Sequence, residues 1–211
     1  MTVKSYILQI CVVLLTSLLS AFVYSETTVR VLDKHGSPVE GVLVFSSAVS
    51  NPANPEGYVM DQVDLAFNPS VLVVPVGAKV LFPNSDPVAH HVYSISRPNN
   101  FSLPLYRGQL PNPIRFDHEG VVVLGCNIHD HMVGHIVVTD RVLQGQTNAQ
   151  GYLSLMANEQ NLGPDATVQI WSPRIRSREL TVQSLVQDTE HTFQLERRLR
   201  PPIHRVVLTD Y

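Results

Sequence analysis

The sequence contains little cysteine, and one of its two cysteines lies in a segment that we expect to be removed. Cys11 falls within residues 1–25, which have a short positive start at Lys4 and continue as a mostly apolar, uncharged run. This pattern is typical of a cleaved signal peptide and predicts export to the periplasm, with cleavage before Glu26. Retention as a membrane anchor is the competing interpretation, although the run is somewhat short for a membrane span.

Cleavage would leave Cys126 as the single cysteine of the mature chain. An unpaired cysteine is unusual in an oxidising compartment, and a reactive or metal-bound thiol is the usual reason for one. An inert buried thiol is the alternative, and a hydrolytic nucleophile paired with a histidine is a third option. The neighbours of Cys126, described below, favour metal.

Positive charge and catalytic motifs are also scarce. Removing Lys4 leaves 14 basic against 18 acidic residues, and no basic run crosses the core of the chain, which argues against nucleic-acid binding. The sequence lacks a Gly-x-Ser-x-Gly motif, a phosphate loop and a second histidine cluster of the kind that a multicopper oxidase or a nitrite reductase would need. We therefore expect a protein that is not an enzyme.

No stretch of the mature chain clearly holds a helical apolar period over three or more turns, and short β-branched or apolar runs separated by Gly, Pro and Asn turns dominate instead. This spacing predicts an all-β sandwich or barrel. We expect a long surface loop at 96–113, which contains four prolines. The predicted strands are 28–32, 41–46, 58–67, 71–76, 79–82, 91–95, 121–125 and 135–139.

The strongest chemical signal is a cluster of metal-ligating side chains that follows one predicted strand. Cys126, His129 and Met132 lie within seven residues, and His90 or His91 could add a second imidazole from upstream. Two imidazoles, a thiolate and a weak axial thioether form the ligand set of a blue-copper electron-transfer site. Because neighbouring residues of a strand point to opposite faces, only one of His90 and His91 can reach the metal, and the alternation does not say which.

Residues 58–139 resemble the small cupredoxins, plastocyanin and amicyanin above all. The resemblance rests on Phe67-Asn-Pro69-Ser, on 76–84 (Val-Gly-Ala-Lys-Val-Leu-Phe-Pro-Asn), on 89–92 (Ala-His-His-Val) and on the short Cys-x-x-His-x-x-Met loop that runs on to Gly134. It implies a Greek-key β-sandwich that holds one type 1 copper ion. The implied metal ligands are His90, Cys126, His129 and Met132.

The resemblance also implies roles for residues near these ligands. It maps His91 onto an asparagine whose backbone N–H supports the cysteine sulfur, and it makes Asn84 a clamp that bonds the ligand loop at Asn127. From the sequence itself we expect His131 to lie at the solvent edge, with replacement of Met132 as the alternative. We expect His135 to face outwards.

The flanks of the chain carry a second, weaker resemblance. Residues 29–44, with 147–155 and 167–173, resemble a carboxypeptidase regulatory-like, transthyretin-type β-sandwich. We therefore expect a second small β-sandwich, split by a cupredoxin that is inserted into it or docked beside it. The expected divisions are a signal peptide at 1–25, first strands at 26–49, the copper domain at 55–140, and the remaining strands with a C-terminal tail at 141–211.

The resulting hypothesis is an exported blue-copper protein that carries single electrons between redox donors and acceptors, without membrane association after signal cleavage. Electrons would pass through the exposed edge of His129. Weak, transient docking would use an apolar patch around it. The candidates for that patch are Phe101, Leu103, Leu105, Met132 and Val133. The alternatives are a copper-binding or delivery module without rapid redox turnover, and a structural sandwich with a degenerate site.

Overall fold

The computed structural model describes residues 25–49, 57–157, 167–175, 181–184 and 190–201, and every regular element in these ranges is a β-strand. Among the described residues, no helix is long and apolar enough to cross a membrane. The all-β class predicted from the sequence is confirmed. The expected signal peptide falls almost wholly on residues 1–24, which lie outside the described ranges.

The seventeen strands of the described ranges are short and follow one another at close intervals. They are β1 (Ser25–Leu32), β2 (Leu43–Val49), β3 (Tyr58–Val59), β4 (Asp61–Val63), β5 (Ala66–Asn68), β6 (Val71–Val74), β7 (Ala78–Leu81), β8 (Val92–Ser94), β9 (Phe101–Ser102), β10 (Ile114–Phe116), β11 (Gly120–Cys126), β12 (Val133–Val138), β13 (Arg141–Gln146), β14 (Tyr152–Ala157), β15 (Thr167–Trp171), β16 (Thr181–Ser184) and β17 (Glu190–Gln194).

The central part of the chain forms the first sandwich. A five-stranded sheet in the order β6-β12-β11-β8-β9 faces a three-stranded sheet in the order β10-β7-β3, and β4 and β5 form a separate hairpin. Within the larger sheet β6 runs parallel to β12, whereas β11 is antiparallel to both β12 and β8. The apolar core between the two sheets includes Leu72, Phe82, Phe116, Leu124 and Ile136, all buried.

The two flanks together form a second sandwich. β1, from the N-terminal flank, pairs with β14 and β17, while β2 pairs with β13 and β15. This gives one sheet in the order β14-β1-β17 and another in the order β13-β2-β15-β16. Their shared core includes Val29, Val44, Leu155 and Ile170. The second sandwich is therefore split around the first, with strands from both ends of the described chain.

A third apolar cluster joins the two sandwiches. Val71, Val121 and Val137 from the five-stranded sheet pack with residues of β2 and β15, among them Phe45 and Trp171. Along β12, Ile136 and Val138 face the core of the first sandwich while Val137 faces this interface, as strand alternation requires. Strands between two apolar layers are hydrophobic on both faces, which explains their continuous apolar runs. The part of the chain that the structure describes is thus a stack of four sheets, with apolar clusters between successive sheets.

One predicted strand differs from the structure for a clear reason. The stretch 58–67 was expected to be a single strand, but Asp64 and Leu65 have φ values of 54° and 58°. Two consecutive residues in the left-handed region reverse the chain into a tight hairpin turn. The turn separates β4 from β5, which pair with each other, while β3 is a short strand that pairs with β7. Through Asp86, the turn reaches the ligand-bearing end of the sandwich.

Candidate metal centre

Three of the four predicted ligands converge at one end of the first sandwich. The Nδ1 atoms of His90 and His129 lie 3.1 Å apart, and the Cys126 Sγ atom lies 3.9 Å from the first and 3.6 Å from the second. His90 and Cys126 are buried, and His129 is half-buried. Within the described ranges, these residues are the one group of histidine, cysteine or acidic side chains whose ligand atoms could share a metal ion.

These separations fit a bound first-row metal ion. Metal–nitrogen bonds of about 2.0–2.1 Å and a metal–sulfur bond of about 2.3 Å place the ligand atoms roughly 3–4 Å apart around one centre. The three observed distances fall in that interval. Two imidazole nitrogens with one soft thiolate suit copper or zinc, rather than magnesium or calcium, which prefer oxygen ligands.

Two of these ligands come from a tight loop between paired strands. Cys126 ends β11, where it lies opposite Val92, and β12 begins at Val133. Within the loop the Met132 amide donates to the His129 carbonyl at 2.9 Å, which closes a turn. Because β11 and β12 are already in register, the loop has little freedom in how it presents Cys126 and His129.

Met132 is also buried, and its side chain belongs to the same apolar cluster as Cys126. Just beyond it, Gly134 packs so closely on Phe67 that an added Cβ would lie 2.9 Å from the aromatic side chain. The absence of a side chain at Gly134 lets β12 approach Phe67. The role of Met132 as axial ligand remains a prediction.

His90 arrives from a different part of the chain and is held by backbone pairing. Its amide donates to the Tyr106 carbonyl, and the Tyr106 amide donates to the His90 carbonyl, each at 3.0 Å. The Asn84 side-chain amide donates to the carbonyls of Val88 and Tyr106, so it connects the two segments on either side of His90. Asn84 therefore clamps these two segments together, rather than bonding the loop at Asn127 as the resemblance implied.

Asp86 is a further site residue, one that the sequence interpretation missed. One of its carboxylate oxygens lies 2.7 Å from His90 Nε2, and the two carboxylate oxygens accept the amides of Asp64 and Leu65. Burial would raise the pKa of this carboxyl, but the hydrogen bonds from Leu65, His90 and Asp64 bring the pKa below its ordinary value of 3.8. The sequence offered one indication of this role, namely an acidic residue four positions before a candidate ligand. Such a spacing is common, so without the fold it does not predict a contact.

A buried polar network lies beneath His90. The Tyr106 hydroxyl donates to the Phe82 carbonyl at 2.6 Å, while the Gln62 side-chain amide donates to the Pro83 carbonyl and to the Tyr106 hydroxyl. Burial raises the pKa of Tyr106 to about 12, so its hydroxyl stays protonated and remains a donor. The network fixes the segment from which His90 projects.

The other histidines near the cluster are placed differently. The structure puts His90 rather than His91 in the cluster, since His91 Nε2 lies 3.1 Å from the Ser102 hydroxyl. His131 is exposed, with its ring centre 6.2 Å from that of His129. The expectation for His135 was wrong: it is buried, because its face of β12 is covered by the second sandwich, where its ring meets Trp171.

The apolar side chains expected to surround His129 are only partly exposed. Leu105 and Val133 are 58% and 38% exposed, whereas Leu103 and Met132 are buried and Phe101 is half-buried. Leu103 and Met132 therefore belong to the core. Other segments that carry or support the ligands expose Leu65, Val88 and Ile128, which the sequence interpretation did not include.

Comparison with known proteins gives only partial structural matches. No protein-family model and no curated protein matches the chain. Among solved structures, a copper-containing nitrite reductase from Thermus scotoductus SA-01 is 30% identical over 40% of this chain, with a TM-score of 0.38, and the match spans 23% of that enzyme.

Two smaller copper proteins match over a similar part of the chain. A reduced Cu(I) form of an amicyanin variant is 20% identical over 45% of this chain and 97% of its own, with a TM-score of 0.37. A purple cupredoxin from Nitrosopumilus maritimus is 25% identical over 39% of this chain and 100% of its own, with a TM-score of 0.35. Each match covers less than half of the chain, so the function proposed below rests on the site itself.

Proposed function

We propose that this protein is an exported type 1 copper protein that carries single electrons between redox partners. The observation that carries the proposal is the convergence of the His90, Cys126 and His129 ligand atoms within 3.1–3.9 Å of one another. One copper ion held by these residues, with Met132 as a weak axial ligand, would supply a one-electron couple. The sequence motif and the geometry both support His90, Cys126 and His129 as donors, and the motif alone supports Met132.

The chain itself supplies a set of mostly buried ligands whose side chains are restrained by their neighbours. Cys126 and Met132 sit in a packed apolar core, and His90 is held by Tyr106 on its backbone and by Asp86 on its ring. Packing and hydrogen bonds of this kind restrict how far the side chains can move when the charge at the centre changes. A site that reorganises little suits electron transfer, because little movement has to accompany the electron.

His129 is the ligand that connects the site with the surface, because it is half-buried whereas His90 and Cys126 are buried. Exposed apolar side chains occur on the segments that carry or support the ligands. They are Leu65, Val88, Leu105, Ile128 and Val133. Scattered apolar contact of this kind favours small, short-lived interfaces with a redox donor or acceptor, rather than a permanent complex.

Burial of the ligands argues against the delivery alternative. A module that passes copper to a partner needs ligands that the partner can reach in exchange, yet His90 and Cys126 are closed off by packing.

We retain export to the periplasm as part of the proposal, supported by the pattern of residues 1–25. N-terminal sequencing of the protein recovered from a periplasmic extract tests that part, because a chain beginning at Met1 would contradict it.

The first experiment is to load the purified mature chain with copper(II) and record its visible and EPR spectra. We expect intense thiolate-to-copper absorption, small copper hyperfine splitting and a reversible one-electron couple. The Cys126→Ser variant should lose the absorption completely. An ordinary pale copper(II) spectrum in the unaltered chain would contradict the proposal, and so would a strong absorption that survives the substitution.

A further inference from the structure

The contact between Asp86 and His90 is nearly closed to solvent. The carboxylate oxygen lies 2.7 Å from the ring Nε2, and the two side chains are 6% and 0% exposed. Ligand histidines commonly use the second ring nitrogen for such a contact, which orients the ring and adjusts its basicity. Here the partner is a full carboxylate rather than a neutral carbonyl.

Asp86 is itself fixed as an acceptor of hydrogen bonds. Its oxygens accept the Asp64 amide at 2.7 Å and the Leu65 amide at 3.0 Å, both from the left-handed turn between β4 and β5. Its own amide donates to the Asn84 side chain. An ionised carboxylate has only acceptor sites, so in this contact His90 donates from Nε2.

This donation determines which nitrogen of His90 is available at the cluster. With the proton on Nε2, the neutral imidazole keeps a lone pair on Nδ1, which is the atom that faces Cys126 and His129. Asp86 thus presents His90 ready to bind a metal ion. In the described part of the chain, His129 has no hydrogen bond from its ring to a carboxylate, so the two imidazoles are not equivalent.

Resting on the proposed function, we infer that Asp86 is a positioning residue that fixes the His90 tautomer and lowers the reduction potential of the bound copper. A buried negative charge beside a ligand interacts more strongly with a doubly charged centre than with a singly charged one. It therefore stabilises the oxidised state over the reduced state. The β4–β5 hairpin contributes to this effect, since its turn amides hold the Asp86 carboxylate in place.

The test compares Asp86→Asn with Asp61→Asn in the full mature chain. Asp61 is a charge-matched control from the same region, because its carboxylate accepts from the backbone amide of Gln62 and from Ser85, and none of these bonds involves a ligand. We expect Asp86→Asn to weaken copper(II) binding by about 10–100-fold. We expect a smaller loss for copper(I), so that the ratio of the two affinities changes by about tenfold, which is about 59 mV towards higher potential.

Asp61→Asn should leave the potential nearly unchanged. An equal shift in the two variants would overturn the inference, because a general charge effect would then explain it, and so would an unshifted potential in Asp86→Asn. These outcomes are distinct from failure of the proposed function, which would already show as an absent thiolate absorption in the unaltered chain.

A second measurement needs neither a variant nor metal. Long-range nitrogen–proton NMR correlations of the metal-free chain report which ring nitrogen of His90 carries the proton. A proton on Nε2 is the expected result, whereas a proton on Nδ1 would overturn the inference even if Asp86→Asn failed to fold.

Discussion

Two buried histidines, His90 at the ligand cluster and His135 at the junction of the sandwiches, have contrasting environments. His90 has a carboxylate on one ring nitrogen, and the other faces a thiol and a second imidazole. His135 lies against the ring of Trp171 and is only 3% exposed. Burial lowers the pKa of His135 to about 4, with a smaller contribution from Arg200.

The contrast shows that burial alone does not make a histidine a ligand. His135 is a packing residue that burial keeps neutral, and within the described ranges it belongs to no group of converging metal-binding atoms. His90 differs because the Asp86 carboxylate lies at its Nε2 atom, while its Nδ1 atom faces two other metal-ligating atoms, on Cys126 and His129. Both residues are equally inaccessible, so their partners determine their roles.

Parallel substitution of the two histidines gives the largest expected effect. His90→Gln should abolish the intense thiolate-to-copper absorption, because it removes one of the nitrogen ligands. His135→Gln should keep the absorption, since that ring does not belong to the cluster. Visible spectra after copper(II) loading measure both. Loss of the band in His135→Gln, with folding retained by circular dichroism, would contradict the distinction between the two histidines.

Removing the aromatic partner of His135 tests the junction between the sandwiches. Trp171→Ala should destabilise the protein by about 3–5 kcal/mol, as large aromatic truncations in cores do. Chemical denaturation measures the change. Ile95→Ala, at a side chain that is 72% exposed, is the control and should stay within about 0.5 kcal/mol. A loss below about 1 kcal/mol for Trp171→Ala would mean that the junction contributes little to stability.

The pH dependence of stability should follow the low pKa of His135. In the unfolded chain this ring protonates near pH 6.5, but in the folded protein it does so only near pH 4. The stabilisation is therefore full above pH 6.5 and is lost as the pH falls towards 4, by about 3 kcal/mol in total. Denaturation of the metal-free chain between pH 4 and 7 measures it.

The difference between the unaltered chain and His135→Gln isolates this contribution from those of the other acidic and histidine groups. The variant should show a flatter decline in the free energy of unfolding on acidification. Identical pH profiles for the two proteins would contradict the assigned role of His135.

Gly134→Ala should have the smallest of these effects, at the close approach between the ligand loop and Phe67. A Cβ at 2.9 Å from the Phe67 side chain forces a shift in packing, with an expected cost of about 1–3 kcal/mol. Adding Phe67→Leu should recover part of that loss, because the smaller side chain leaves room for the new Cβ. Strictly additive losses in the double variant, measured by denaturation, would show that the two residues are not coupled.

The sequence by itself determined those features that depend on neighbours along the chain. Cys126, His129 and Met132 occupy one short loop, so their spacing already predicted a ligand set, and short apolar runs between turn residues predicted an all-β protein. The choice of His90 over His91 came from the resemblance, and the alternation of the strand left it open. These inferences needed no knowledge of how distant segments meet.

Only the tertiary structure decided the partners of His90 and of His135. Asp86 meets His90 because the hairpin turn at Asp64 and Leu65 positions its carboxylate, and His135 is buried because the second sandwich covers its face of β12. A strand's alternation states which residues share a face, but not whether that face meets solvent or another sheet. That depends on packing between segments far apart in the chain, which local pattern does not encode.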